Sequence, residues 1–139
     1  MGAKGRALLL ALACLALFAG CGANGFGNGL AVSADGAVNV MILSLPQSES
    51  RARNYRTQEK IQLVTGYLSG LTLQKQFSEN PDDYVGETLV INVSYDDGTK
   101  RTFYHFGNQF IQEGTGPWMR MDDQQAEALD ALLSQNPSD

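Results

Sequence analysis

Residues 88–106 read Thr-Leu-Val-Ile-Asn-Val-Ser-Tyr-Asp-Asp-Gly-Thr-Lys-Arg-Thr-Phe-Tyr-His-Phe. Leu89, Ile91, Val93 and Tyr95 recur at every second position, the period of a strand with one buried face. Asp96-Asp97-Gly98 then interrupts, and Arg101 to Phe106 resumes as a second strand. Asp-Gly between two apolar runs is a strong hairpin signal. The length of the turn sets the register. A two-residue turn at Asp97-Gly98 puts Tyr104 and Phe106 beside Ile91 and Leu89. A three-residue turn with Gly98 in the left-handed region puts Phe103 and His105 there instead. One residue of slip exchanges the faces, so the turn decides where His105, the only histidine, points.

Working toward the C-terminal side, Gly107-Asn108 makes a second turn, and Gln109 to Gln112 extends the hairpin into a meander. Gly114 to Pro117 breaks it, and Trp118 to Met121 is expected to add an edge strand. Asp122 is placed to cap a final helix, with Gln125 at the capping-box position. Ala126, Leu129, Leu132 and Leu133 form that helix's apolar stripe. Residues 136–139 read as a frayed tail.

On the other side of the hairpin, Val38, Val40 and Ile42 alternate as a strand that Pro46 stops. Residues 47–56 read as a polar loop. Thr57 is an N-cap candidate with Glu59 in the first turn. Ile61, Val64, Leu68 and Leu71 follow at helical spacing, and Gly70 marks the stop. Leu71 to Leu73 reads as a short strand or an exit turn, and residues 78–86 as a loop. The order is β-α-β-β-β-(β)-α. The expected class is α+β: an antiparallel sheet of about four strands, with two helices on one face, in a single domain over residues 37–135.

The first twenty residues are not part of that domain. Lys4 and Arg6 precede an apolar run from Ala7 to Ala19, too short to span a bilayer, which takes about 20 apolar residues. The arrangement is that of a secretory signal. It ends in Leu17-Phe18-Ala19-Gly20-Cys21, which resembles the lipobox of bacterial lipoproteins; Phe18 stands where that family usually has Leu. The resemblance implies cleavage before Cys21 and a diacylglyceryl group on its thiol. Attachment is then to the extracytoplasmic face of the cell membrane, with two or more acyl chains for stable anchoring. Residues 21–36, rich in Gly and Asn, read as the lipidated cysteine and a flexible tether. Of two cysteines, Cys14 is lost with the leader, so no disulfide is expected. The downstream domain also resembles a loose class of small Gram-positive surface lipoproteins of unknown activity, through Leu63 to Leu73, Tyr95 to Gly98, Phe103 to Phe106 and Leu129 to Leu133. That likeness brings no chemistry with it.

All 15 acidic residues lie beyond Cys21, against 8 Lys and Arg once Lys4 and Arg6 are gone, a net of −7. Such a domain is a poor partner for nucleic acid, whose phosphates need a basic face. The basic residues that remain include one cluster, Arg51, Arg53, Arg56 and Lys60, a candidate contact for lipid phosphates or an acidic partner. His105 has no nucleophile, Cys or second His nearby in sequence, which argues against catalysis or metal binding. Asp82-Asp83, Asp96-Asp97 and Asp122-Asp123 lack the spacing of a calcium loop and sit where turns and caps favour Asp. Tyr104, Phe106, Phe110 and Trp118 are candidates for an aromatic platform, or for core. Gly114-Thr115-Gly116 lacks the residues of a phosphate loop.

No catalytic, cofactor or metal constellation emerges. The expectation is a lipid-anchored surface protein carrying a non-catalytic binding or regulatory module, with an envelope protein or polymer as its partner. Two other readings are an envelope hydrolase or its accessory subunit, which needs a cleft joining His105 to a carboxylate and a hydroxyl, and a structural envelope protein using an exposed sheet edge.

Overall fold

The computed structural model describes residues 29–139. The leader, Cys21 and the tether as far as residue 28 lie outside the described residues. The chain runs β1 (Ala37–Leu45), β2 (Arg53–Tyr55), α1 (Gln58–Gly70), β3 (Leu73–Gln74), a 3-10 turn (Pro81–Asp83), β4 (Thr88–Tyr95), β5 (Lys100–Phe106), β6 (Phe110–Glu113), β7 (Met119–Met121) and α2 (Asp123–Gln135). The strands make one antiparallel sheet in the order β2-β1-β4-β5-β6-β7-β3. The α+β class and the antiparallel sheet with two helices are as expected; the strand count is seven, not about four. β2 lies inside the stretch read as a loop, and β3 is only two residues long. Both are too short to show a period. β7 is not the edge, because β3 pairs with it.

The hairpin adopts the longer turn. Gly98 has φ +86°, Tyr95 N–H donates to Thr99 O (2.9 Å), and Ile91 pairs with Phe103 and Leu89 with His105. Type I geometry followed by a left-handed glycine matches the strand twist. Asp97 Oδ1 holds the turn by accepting from Thr99 N and Oγ1. Phe103 and His105 therefore face inward. They meet Val40, Ile42, Leu89, Ile91 and Ile111 on the sheet, and Ile61, Val64 and Leu68 of α1 with Ala126, Leu129 and Leu133 of α2. Both helices cover this face.

The opposite face has no helix. Met41, Leu43 and Leu45 of β1 stand exposed there, in register with Asn92, Val90 and Thr88 of β4 and with Thr102, Tyr104 and Phe106 of β5. Only its β6–β7 side is covered. Phe110 pairs with Phe106 on that face yet is fully buried, because Phe77 and Tyr84 fold over it with ring centroids 5.6 and 5.2 Å away. Arg120 lies against its ring (5.6 Å), and Trp118 packs on Phe106. Phe106, Phe110 and Trp118 thus belong to a second, smaller apolar cluster rather than to a ligand platform, while Tyr104 stays on the open face.

Two boundaries move. The stretch read as tether is packed from Gly29 onward: Leu30 and Val32 enter the core. Ser69 Oγ donates to Val32 O and accepts from Val32 N, and Arg101 donates to Ala31 O. The composition is loop-like, but Leu30, Val32 and the partly buried Ala34, spaced by two, pack against the core beside the end of α1. The tail is not frayed either. Asn136 O accepts from Tyr55 OH, Asp139 N–H donates to Asn54 O, and the Asp139 carboxylate accepts from Arg56 N and Thr57 N. Thr57 is the N-cap of α1 but makes no side-chain cap bond; Asp139 supplies it from 82 residues away. These backbone hydrogen bonds, with Lys60, hold its carboxyl well below the usual range. An anion at a helix N-terminus is electrostatically favourable.

α2 begins as its sequence suggests, with Asp122 Oδ1 accepting from Gln125 N (3.0 Å). The Gln125 side chain does not close a capping box. Its Oε1 accepts from Thr72 N (2.6 Å) and its Nε2 donates to Gly70 O, so the start of α2 is fastened to the end of α1.

Candidate functional site

His105 leaves β5 at the base of a hollow of about 450 Å³, lined by Arg51, Val85, Gly86, Glu87, Leu89, Gly107, Asn108 and Asp130. Its parts come from six places: the loop before β2, the loop entering β4, the start of β4, the end of β5, the β5–β6 turn and the middle of α2. The β5–β6 turn needs left-handed backbone at Gly107 (φ +60°) and Asn108 (φ +54°), which Gly and Asn adopt at little cost. Gly107 N–H donates to Glu87 O (3.0 Å), so the turn and the loop into β4 form one wall.

The charged groups hold one another. Arg51 Nη2 donates to Asp130 Oδ1 (2.6 Å) and Arg51 Nε to Glu87 Oε1 (3.1 Å). Asn108 Nδ2 donates to the second Asp130 oxygen (3.2 Å). Burial opposes ionisation of Asp130, but the hydrogen bonds from Arg51 and Asn108 outweigh it and hold its carboxyl below the usual range. In turn the Asp130 bond raises the Arg51 guanidinium. The three side chains are 32–42% exposed, so these are surface-like pairs of about 0–1 kcal/mol each.

His105 sits behind them and is 1% exposed. Its Nε2 is 2.7 Å from Tyr67 OH of α1. The Tyr67 hydroxyl also lies 3.4 Å from Ala126 O; the shorter contact favours donation to Nε2, which leaves the ring proton on Nδ1. Burial pushes the imidazole down to about 4, with Asp130 pulling the other way. Burial also pushes the Tyr67 phenol up. Near neutral pH both groups are uncharged. This is the opposite of the poise that general acid–base work needs, with a pKa near the operating pH.

The structure brings only one of the four basic candidates into the hollow. Arg51 is there. Arg53 points to the end of α2 and donates to Leu133 O (2.9 and 3.1 Å). Lys60 is held by Asp139 (3.0 Å) and Pro137 O, and Arg56 adjoins the same tail through its backbone. Their nearness in sequence does not make a shared cationic surface. The acidic pairs act locally: Asp82 lies in a 3-10 turn capped by Asn80, Asp97 in its hairpin, and Asp122 at its helix cap. Among the described residues no group of three His, Cys, Asp or Glu is placed to hold a metal ion.

Tyr67, Glu87, Asn108 and Asp130 were not singled out from the sequence. A usable signal exists for two. Tyr67 and Asp130 each border the apolar stripe of a helix, at positions where a polar atom is brought to the edge of the core. Nothing local marks Glu87 or Asn108.

A second hollow, about 320 Å³, lies at the other end of the sheet between Thr72, Glu79, Arg120 and Asp123. Arg120 there is committed to Asp123 (2.8 Å) and to Gln109 O and Met121 O. No family model matches the chain, and neither a curated protein nor a solved structure is significantly similar to it. No helix among the described residues is long and apolar enough to cross a membrane.

Proposed function

We propose that this chain is a surface lipoprotein, anchored through Cys21 on the extracytoplasmic face of the membrane, whose folded domain is a non-catalytic binding module working through the His105 cleft. The observation that carries the reading is the ion arrangement at the mouth: one guanidinium clasped by two half-exposed carboxylates, in front of a histidine and a tyrosine held neutral. Such pairs cost little to exchange. A ligand bearing both an ammonium and a carboxylate re-pairs all three groups without stranding a charge. Arg51 takes the carboxylate, and Glu87 and Asp130 take the ammonium. Val85, fully exposed at the rim, offers an apolar contact beside them. The ligand class is therefore small and zwitterionic, in the manner of a free amino acid or a dipeptide. The hydrolase alternative is weaker. His105 does meet a hydroxyl, and Asp130 is near enough to act on its charge, but the hydroxyl is a buried phenol and the lining residues bring no Ser, Thr or Cys. An edge-pairing role is also disfavoured, because the outer strands have three and two residues and β2 is covered by the tail.

The test of binding is an amide NMR titration with glycylglycine, and separately with acetate and with methylammonium. The dipeptide is expected to move Gly86, Glu87, Gly107 and Asn108, with Arg51→Ala weakening it at least about tenfold, or about 1.4 kcal/mol. Equal or absent responses to all three probes refute the ligand class. Anchoring is tested separately, by mass spectrometry of the N-terminal peptide from cell membranes. A bare Cys21 or a retained leader refutes it.

A further inference from the structure

Arg53 stands outside the hollow, but among the described residues its side-chain hydrogen bonds all go to the two segments that carry Arg51 and Asp130. It opens β2 and pairs with the inward-facing Ile42, which turns its side chain toward the helix-covered face. Nη1 donates to Ser50 O (2.9 Å) and Ala52 O (2.8 Å), the carbonyls on either side of Arg51. Nε and Nη2 both donate to Leu133 O (3.1 and 2.9 Å). Leu133 follows Asp130 by one turn of α2, a rise of about 4.5 Å. Its carbonyl has no helical partner, because the residue four positions on is Pro137, which lacks an N–H. α2 also has no basic residue in its own last turn. Arg53 supplies both the donor and the positive charge from outside, at the helix end where the dipole favours a cation.

We propose that Arg53 is a positioning residue of the cleft: it clasps the backbone on both sides of Arg51 and the turn of α2 beyond Asp130, and so sets the 2.6 Å Arg51–Asp130 contact and the affinity for ligand. The inference rests on the reading of the cleft as a binding site. The pairs that Arg51 makes are half-exposed and individually weak. They do not fix a long, flexible side chain unless its backbone is already held in place. Arg53 holds it, without touching the ligand. The task needs arginine: a planar fork of N–H donors meets carbonyls on two sides at once, whereas a lysine ammonium is a single point on a flexible stem.

The test is NMR relaxation of the Arg51 Nε–H group in residues 22–139, which contain every described helix and strand, with a glycylglycine titration of the same samples. In the wild-type chain the order parameter of this group should approach that of rigid backbone, about 0.85, and in Arg53→Lys and Arg53→Gln it should fall below about 0.6. The backbone amide spectrum should remain that of the folded chain. Lys keeps the charge at the end of α2 and Gln keeps two donors, but neither joins the two segments. The dipeptide should bind both variants at least about threefold more weakly, through lost preorganisation. Tyr55→Phe, which removes the donor to Asn136 O and leaves Arg53 its bonds, should match the wild type in both measurements. An Arg51 Nε–H already mobile in the wild type, one that stays rigid in either Arg53 variant, equal loosening in Tyr55→Phe, or unchanged dipeptide affinity once Arg51 is loose overturns the proposal. A wild-type chain that ignores glycylglycine counts against the ligand reading instead, and the Nε–H measurement alone then decides the role of Arg53.

Discussion

Lowering the pH from about 7 to about 5 should cost the folded state about 2 kcal/mol through His105 alone. Burial takes this histidine from its ordinary value of 6.5 to about 4. The unfolded chain therefore binds a proton that the native chain refuses throughout the interval between those values. Native stability rises with pH across the window and falls as acid enters it. Carboxylates contribute little above pH about 5, because Asp130 and Asp139 have their native values depressed and their unfolded values lie near 4. The assay is urea unfolding at several pH values, with the histidine ring protons followed by NMR in parallel. The sequence has one histidine, so the signal needs no assignment. The double variant Tyr67→Phe, His105→Leu removes both partners and keeps the volume, and its stability should be flat over the same range. A native ring that titrates near 6.5, or a wild-type stability that does not change between pH 7 and pH 5, refutes the account of a buried neutral imidazole.

Three further outcomes follow from the packing. Tyr67→Phe alone leaves Nε2 of a buried histidine without its partner, an expected loss of about 1–3 kcal/mol by urea unfolding. Gly29→Ala puts a Cβ 2.6 Å from the carbonyl oxygens of Ser69 and Leu71; backbone must shift, and a loss of more than about 1 kcal/mol is expected, where a slack tether predicts none. Phe110→Ala should cost about 3–5 kcal/mol and speed hydrogen exchange at Gly86 and Glu87, read by mass spectrometry.

The alternation in residues 88–95, the Asp-Gly turn and the two apolar stripes at helical spacing made the central hairpin and both helices legible, because each is set by local period. The side of the sheet on which His105 lies was not, because Asp96-Asp97-Gly98 accommodates a loop of either length and only packing against Ile61 and Leu68 selects one. β2 escaped for a related reason: Tyr55 is held by Asn136 O and Asn54 by Asp139, partners some eighty residues away. Arg51 was singled out for its charge, yet its basic neighbours turned out to serve the end of α2 and the tail. What makes Arg51 a site residue is Glu87 and Asp130, which no spacing in the chain announces.

The two faces of the sheet are joined by a single segment. Residues 77–87 leave Phe77 and Tyr84 on Phe110 on the open side, then turn past Gly86 to present Glu87 and Val85 to the cleft on the other side. A Cβ at Gly86 would lie 3.3 Å from the Gly107 Cα, so the segment presses against the β5–β6 turn where the chain rounds the end of the sheet. Glu87 is thus positioned from behind by an aromatic cluster that never touches the cleft. This is why truncating Phe110 should loosen a carboxylate on the far face, and why the ion arrangement around Arg51 depends on the segment's anchorage as much as on its own hydrogen bonds.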